Sequence, residues 1–180
     1  MSTLSNTVRP TVWIGCLACY NAGRLVGEWY DADTADLVSP EDLHGRPTQH
    51  EELWVMDHED FCGALEGECS PSEAAEIAEA LSELTHDEAA AFSVWVREWG
   101  EPGDRSDWVD RFRSEYRGFH QSEGHFAQDW AEDTCQPEDQ ARMTTWPFNA
   151  IDWDHAAAEL FSGGFQSEEV LGGVHVFCPR

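Results

Sequence analysis

The sequence contains no lysine, and all ten of its basic residues are arginine. Against them stand 36 aspartates and glutamates, so the formal net charge is −26 at pH 7. Because contact with phosphate groups requires cationic side chains, this composition argues against binding to nucleic acid or to anionic membranes. The missing lysine also excludes a lysine Schiff base and the lysine of a phosphate-binding P-loop.

Targeting signals and long apolar runs are also missing. Met1 to Pro10 lacks the apolar core of a signal peptide. The longest apolar run, Val12 to Cys19, has about eight residues, far fewer than the roughly 20 of a membrane-spanning helix. Six cysteines without a secretion signal are expected to be reduced thiols. The sequence therefore predicts a cytoplasmic protein.

The chain nevertheless has the composition of a folded protein. Aromatic residues make up 12% of it and include nine tryptophans, whereas disordered acidic segments are poor in aromatics. So large a charge on 180 residues causes self-repulsion, which an elongated shape or several small domains would relieve. We therefore expect the charge to be spread over an extended molecule.

Charge is unevenly distributed along the chain. Residues 25–96 contain 19 acidic residues and a single arginine, whereas residues 97–117 contain five arginines and six acids. One interpretation of the arginine-rich segment is surface ion pairing, as between Asp107 and Arg111 at i,i+4. The other is that the segment lies inward and joins acidic domains. The sequence leaves both open.

Apolar periodicity predicts a β-rich beginning. A strand over Thr11 to Tyr20, turn residues, and a partner strand over Leu25 to Tyr30 form a predicted hairpin. A third strand is expected over Glu52 to Asp57. Between them, Ser39-Pro40 marks the start of a short helix.

The middle of the chain is predicted to be helical. Capping boxes at Ser70–Glu73 and Thr85–Glu88 each open a helix. On the first helix, Glu73, Glu76, Glu79 and Glu83 form an acidic stripe on the side away from the apolar residues. Gly100 to Gly103 ends the second helix.

The C-terminal part is predicted to mix helices with a strand. Helices are expected over Asp104 to Tyr116, Ser122 to Thr134 and Asp154 to Ser162, and a strand over Gly172 to Cys178. Pro137 to Pro147 is predicted to be irregular. Together these elements predict an α+β fold.

Signals for catalysis are weak. Cys16 and Cys19 form the only CxxC, but residues three apart on a strand point to opposite faces unless a turn intervenes. We recognise no second ligand pair at zinc-finger spacing, which favours buried structural cysteines. Residues 57–60 and 152–155 hold candidate metal ligands, yet such clusters arise by chance among 36 acids and eight histidines. The sequence predicts no catalytic residue, cofactor or metal ligand, and no enzyme.

Several blocks of sequence, in order, carry a family resemblance. They are Tyr20-Asn21-Ala22-Gly23, Gly27-Glu28-Trp29-Tyr30-Asp31-Ala32, Glu52-Leu53-Trp54-Val55-Met56-Asp57-His58-Glu59, Tyr116-Arg117-Gly118, Phe126-Ala127-Gln128, Ile151-Asp152-Trp153 and Gly172-Gly173-Val174-His175-Val176-Phe177. This ordered set resembles the ArdA antirestriction proteins over essentially the whole chain. A departure is Cys19, where family members often carry an acidic residue.

The resemblance implies an antirestriction protein that mimics DNA. Family members form elongated homodimers that occupy the DNA-binding groove of type I restriction-modification enzymes. Each subunit has three small domains in line, which here correspond to residues 1–61 (α/β), 62–103 (helical) and 104–180 (α/β, with the dimer interface). No cofactor is implied.

The expected partner-binding surface consists of thirteen acidic residues, which we call the acidic set. Its members are Glu66, Glu68, Glu73, Glu76, Glu79, Glu83, Asp87, Glu88, Asp129, Glu132, Asp133, Glu138 and Asp139.

Two alternative functions stay open. One is an acidic binding module for another basic DNA-binding protein. The other is a metal-dependent enzyme that uses residues 57–60 or 152–155.

Overall fold

The computed structural model describes residues 9–100, 105–147 and 149–179. The chain divides into two compact units, Met1–Phe112 and Arg113–Arg180. Each unit contains a three-stranded antiparallel sheet together with helices. The predicted α+β class is thereby confirmed, whereas the division into three small domains stays a prediction.

The first sheet has the strand order β2–β1–β3. Its strands are β1 (Thr11–Cys16), β2 (Gly27–Asp31) and β3 (Leu53–Glu59). The predicted hairpin is confirmed, since β1 and β2 pair antiparallel. Val12 and Ile14 on the central strand are fully buried, as expected for alternate residues on one face of a sheet.

The predicted first strand is too long. β1 ends at Cys16, and Leu17–Asn21 forms a short helix, α1. Short apolar runs do not distinguish strand from helix by periodicity alone. The chain therefore turns at the point where the sequence analysis continued the strand to Tyr20.

The connection from β2 to β3 is structured. A 3-10 helix covers Ala32–Leu37, and α2 covers Pro40–His44. The predicted helix start is confirmed, because the Ser39 side chain accepts a hydrogen bond from the Asp42 backbone and Asp42 reciprocates. Hydrogen bonds from the Ser39 hydroxyl and backbone N–H lower the pKa of Asp42.

Two longer helices follow at the predicted positions, α3 (Pro71–Ser82) and α4 (His86–Trp99). The capping box at Thr85 is complete. At Ser70 only half of the predicted box is formed, since Ser70 accepts from the backbone of Glu73 but receives no reciprocal carboxylate bond. The Glu73 carboxylate contacts Arg105 instead.

Helix α5 (Trp108–Glu115) completes an aromatic core in the first unit. Phe112 and Trp108 pack against Phe92 with ring centroids 5.4 and 6.3 Å apart, respectively. The predicted turn over residues 101–103 and helix start at residue 104 lie outside the described residues. The predicted end at Tyr116 is one residue too late, because strand β4 begins there.

The second sheet has the strand order β4–β6–β5. Its strands are β4 (Tyr116–His120), β5 (Gln166–Val170) and β6 (Gly173–Phe177). β6 confirms the predicted C-terminal strand. The sequence analysis missed β4, which follows α5 without a loop and carries no turn residue ahead of it.

Three helices accompany this sheet: α6 (Glu123–Thr134), α7 (Pro137–Met143) and α8 (Trp153–Ser162). Helices α6 and α8 confirm the prediction to within one residue. The predicted irregular stretch from Pro137 is wrong, because α7 occupies its first seven residues. Proline at the first helical position followed by two acids is a helix-start signal that was overlooked.

The core of the second unit lies between the helices and the sheet. Phe126 of α6 packs with Val174 and Val176 of β6, and partly buried Trp130 and Phe165 surround them. Across the described part of the chain, every helix is too short or too polar to traverse a lipid bilayer.

Candidate functional site

Helix α3 carries the predicted acidic stripe on its exposed side. Glu76, Glu79 and Glu83 are exposed and Glu73 is half-buried, whereas Ala74 and other apolar residues of the helix are buried. This arrangement follows from the 3.6-residue period, which separates the apolar and acidic positions onto different sides. Residues three or four apart place their carboxylates about 5–6 Å apart at Cβ.

An arginine forms ion pairs with two members of this stripe. Arg105 donates from Nη2 to Glu73 Oε1 at 2.6 Å and from Nη1 to Glu76 Oε2 at 2.8 Å. Its side chain is only 11% exposed, and its guanidinium lies 5.1 Å from the ring centroid of Trp108. One cation thus offsets part of the charge of two carboxylates of the stripe.

Glu73 also affects a neighbouring thiol. Burial and the nearby charge of Glu73 raise the pKa of Cys69 to about 11. The thiol is therefore protonated near neutral pH and adds no negative charge to α3.

The remaining members of the acidic set in the first unit flank α3. Glu66 and Glu68 are exposed on the segment that precedes it, and Asp87 is exposed in the first turn of α4. Glu88 is half-buried because its carboxylate accepts hydrogen bonds from the Thr85 backbone and hydroxyl. Glu88 thus serves as a cap, and its carboxylate is less available to a partner.

The second unit carries its own acidic residues on α6 and α7. Glu132, Asp133, Glu138 and Asp139 are exposed. Asp139 contacts Arg142 at 3.3 Å, and Glu132 accepts a hydrogen bond from Gln128 at 2.9 Å. Two acids in the first turn of α7 also interact favourably with the helix dipole.

Asp129, also on α6, is held by two imidazoles. Its Oδ2 lies 3.0 Å from His120 Nδ1 and 3.4 Å from His125 Nδ1. These contacts make Asp129 a local partner of histidine, unlike its exposed neighbours on the same helix.

The acidic set therefore lies in two groups, one in each unit. Ten of the thirteen residues are exposed, and Glu73, Glu88 and Asp129 are half-buried. The exposed ten satisfy the first requirement of a binding surface, which is access to a partner. Their role in binding stays a prediction.

The arginine-rich segment has both exposed and inward-packed arginines, and its role in joining acidic domains stays a prediction. Arg97 is 48% exposed and pairs with the adjacent Glu98 at 3.0 Å, as surface pairing predicts. Arg111 lies over the Trp95 ring at 5.2 Å, and Arg105 is largely buried beside α3. Two arginines of the segment thus pack inward within the first unit.

The structure brings together two groups of potential metal ligands among the described residues. One is His120, His125 and Asp129, and the other is formed by two cysteines and two histidines of the first unit. Neither contains the predicted clusters at residues 57–60 and 152–155. The sequence analysis missed both groups, because their members come from separate elements.

Comparison with known protein families gives a match over residues 12–171 to the family described as antirestriction protein (ArdA). The chain belongs to the ArdA antirestriction family. The resemblance drawn from the ordered sequence blocks is confirmed. Comparison with curated proteins gave no match.

Family membership defines the general function. ArdA proteins counteract restriction, so this ArdA protein has a restriction-modification enzyme as its kind of partner. The family is one of inhibitors rather than enzymes.

Proposed function

We propose that this ArdA protein is a DNA mimic that binds the DNA-binding groove of a type I restriction-modification enzyme and blocks restriction. The observation that carries the proposal is the exposure of ten acidic residues on and beside the helices of a chain with net charge −26. A groove shaped for DNA presents lysines and arginines to phosphates, and those cations also attract carboxylates.

The amount of charge supports the proposal. Duplex DNA carries one negative charge per ~1.7 Å of helix axis. Two chains hold twice 36, or 72, carboxylates, which equals the charge of ~120 Å of duplex at that density. Their net charge of twice −26, or −52, still equals that of ~90 Å. A dimer therefore has enough charge to occupy a long DNA-binding cleft.

A homodimer belongs to the same proposal. From family membership we infer a dimer of three-domain chains joined through the C-terminal domain, residues 104–180, and we expect it to be elongated because self-repulsion disfavours a compact arrangement of so many acids. Light scattering after size-exclusion chromatography measures the mass directly. A dimer has twice the 20.3 kDa of one chain, and a mass that stays at one chain at micromolar concentration contradicts this part of the proposal.

Competition against DNA tests the function itself. A purified type I methyltransferase is bound to a labelled duplex containing its recognition site, and the ArdA protein is added at increasing concentration. We expect stoichiometric displacement of the duplex and loss of restriction, with methylation measured in parallel to learn whether modification is blocked too. Binding to the enzyme without displacement of DNA would contradict mimicry.

A parallel titration addresses the alternative of an acidic module for another basic DNA-binding protein. An unrelated basic DNA-binding protein replaces the methyltransferase at the same salt concentration. Mimicry aimed at type I enzymes predicts that the ArdA protein displaces DNA from the methyltransferase at a much lower concentration than from the unrelated protein. Equal potency against both would favour the general acidic module.

Salt dependence gives a separate prediction. Binding through carboxylates should weaken as salt rises, because the screening length falls to about 8 Å at physiological ionic strength and about 3 Å at 1 M. We expect a shallower slope of log affinity against log salt than for DNA, whose condensed counterions are released on binding. Fluorescence titration with the ArdA protein and with a duplex, over the same salt series, measures both slopes. A salt-independent affinity would indicate a mainly apolar contact.

A further inference from the structure

Four side chains of the first unit meet at the end of β1. Cys16 is the last residue of β1, Cys19 lies on α1, and His44 is the last residue of α2. His50 follows in the loop that leads to β3. We call these four residues the Cys–His cluster, and both cysteines are buried while both histidines are half-buried.

The donor atoms of the Cys–His cluster converge. Cys16 Sγ lies 3.1 Å from His50 Nδ1, and Cys19 Sγ lies 3.6 Å from the same nitrogen. Cys19 Sγ is 3.9 Å from His44 Nε2. All four donor atoms lie within 4.8 Å of one another. Each of the four residues thus directs one ligand atom toward a common centre.

These separations match a tetrahedral zinc site. Zinc–sulfur bonds of about 2.3 Å and zinc–nitrogen bonds of about 2.0–2.1 Å place sulfur and nitrogen about 3.5 Å apart at tetrahedral angles. The three sulfur–nitrogen distances, 3.1, 3.6 and 3.9 Å, lie on both sides of that value. Thiolate and imidazole donors in tetrahedral arrangement favour zinc over harder cations such as magnesium.

The sequence spacing agrees with this geometry. Two residues separate the cysteines and five separate the histidines, within the C-x2–4-C and H-x3–5-H ranges of structural zinc sites. The sequence analysis overlooked His44 and His50 as a second pair, and it expected the thiols to diverge unless a turn intervenes. The turn into α1 after Cys16 places Cys19 on the same side instead.

We propose that the Cys–His cluster binds one Zn²⁺ as a structural site. Four protein ligands fill the tetrahedral shell and leave no position for water or substrate, which distinguishes a structural from a catalytic site. Two thiolates neutralise the charge of the ion. Arg24 Nη2, 3.7 Å from Cys19 Sγ, donates to that sulfur as an outer-shell partner that orients a ligand.

The fold around α2 shows what the ion would stabilise. This helix has five residues, none of them buried, and isolated helices so short are unstable in water. Gly45, in the left-handed conformation at φ 61°, ends α2 directly after His44 and redirects the chain toward His50. Coordination would attach α2 and the following loop, in which residues 45–52 are also not buried, to the end of β1.

Metal analysis of the untagged full-length chain tests the site. The protein is prepared with reduced thiols and excess zinc, dialysed, and analysed by mass spectrometry for metal content. We expect about one Zn²⁺ per chain. The variants Cys19→Ser and His44→Asn should each show at least tenfold lower occupancy. Cys62→Ser, which changes an exposed cysteine outside the cluster, should retain the full amount.

Cobalt substitution keeps the test decisive if a cluster variant fails to fold. Co²⁺ bound by two thiolates and two imidazoles gives sulfur-to-cobalt charge-transfer bands and visible tetrahedral bands, which added Zn²⁺ should remove. Chelation should lower the melting temperature of the wild type but not of a folded Cys19→Ser variant.

Three results would each overturn the proposal. The first is no bound metal while all six thiols are reduced, and the second is a disulfide between Cys16 and Cys19. The third is zinc that survives the cluster variants but disappears in His125→Asn, which would place the ion at the histidine–aspartate group of the second unit.

Discussion

Neutralising six exposed acids together should weaken binding to the type I enzyme by roughly 30- to 100-fold. The changes are Glu66→Gln, Glu68→Gln, Glu79→Gln, Asp87→Asn, Asp133→Asn and Glu138→Gln, all at exposed positions of the acidic set. An exposed ion pair contributes about 0–1 kcal/mol, and six of them at about 0.3–0.5 kcal/mol each sum to about 2–3 kcal/mol. Because about 1.4 kcal/mol corresponds to a factor of ten, the loss reaches that range.

A matched variant separates the location of the charge from its amount. Asp33, Asp36, Glu41, Glu51, Glu52 and Glu59 are also exposed but lie outside the acidic set. Changing these six to their amides removes the same amount of charge from other exposed positions, all of them in the first unit. We expect a clearly smaller loss of inhibition from this variant. Equal losses would mean that net charge, and not the acidic set, determines binding.

Single substitutions test whether the binding energy is spread over many acidic residues. Glu79→Gln alone should lower affinity no more than several-fold, and Glu76→Gln should do less, because Arg105 already offsets its charge. The stability of every variant is checked by circular dichroism, since Asp87→Asn also removes a helix-dipole interaction of about 0.3–1 kcal/mol. One acid-to-amide change that abolished inhibition in a folded protein would replace the distributed surface with a localised site.

Trp108→Ala should lower the free energy of unfolding of the first unit by about 3–5 kcal/mol, the usual cost of truncating a buried aromatic residue. Trp108 is 3% exposed and packs against Phe92 and Trp95. Its ring also lies under the guanidinium of Arg105, so its loss removes one support of the ion pairs on α3. Urea unfolding followed by circular dichroism measures the change.

Trp108→Phe is the matched control. It keeps an aromatic ring in the core and removes the indole N–H, which is buried and has no hydrogen-bond partner among the described residues. Because loss of an unpaired buried donor offsets part of the lost packing, we expect a cost under about 2 kcal/mol. Any fraction of Trp108→Ala that remains folded should inhibit normally. A stable Trp108→Ala protein that fails to inhibit would place this residue in recognition instead of the core.

The helices could be predicted where the sequence carries strong start signals. Ser70 and Thr85 precede α3 and α4 as expected, and the apolar periods behind them define the buried faces. The same periodicity located the exposed acids Glu76, Glu79 and Glu83, since a residue opposite a buried stripe is exposed in almost any packing. Short elements were predicted less well. β4 and α7 were missed, because neighbours in space decide the structure of so few residues.

The candidate zinc ligands show most clearly what could not be predicted from the sequence alone. A CxxC on a strand and two histidines 25 or more residues later predict no shared site, because sequence spacing does not define long-range separation. The turn at Leu17 and the left-handed Gly45 bring them together. Arg105 is a similar case: its contacts with Glu73 and Glu76 span about 30 residues.

By itself, the sequence determined the chemical character of this protein. The excess of acids and the lack of lysine argued against nucleic-acid binding, and the ordered family blocks indicated an antirestriction protein, because charge and sequence order do not depend on the path of the chain. The tertiary structure decided which charges stay available and which donors converge. Both depend on distances between residues far apart in sequence, and folding alone brings such residues within hydrogen-bonding or coordination range.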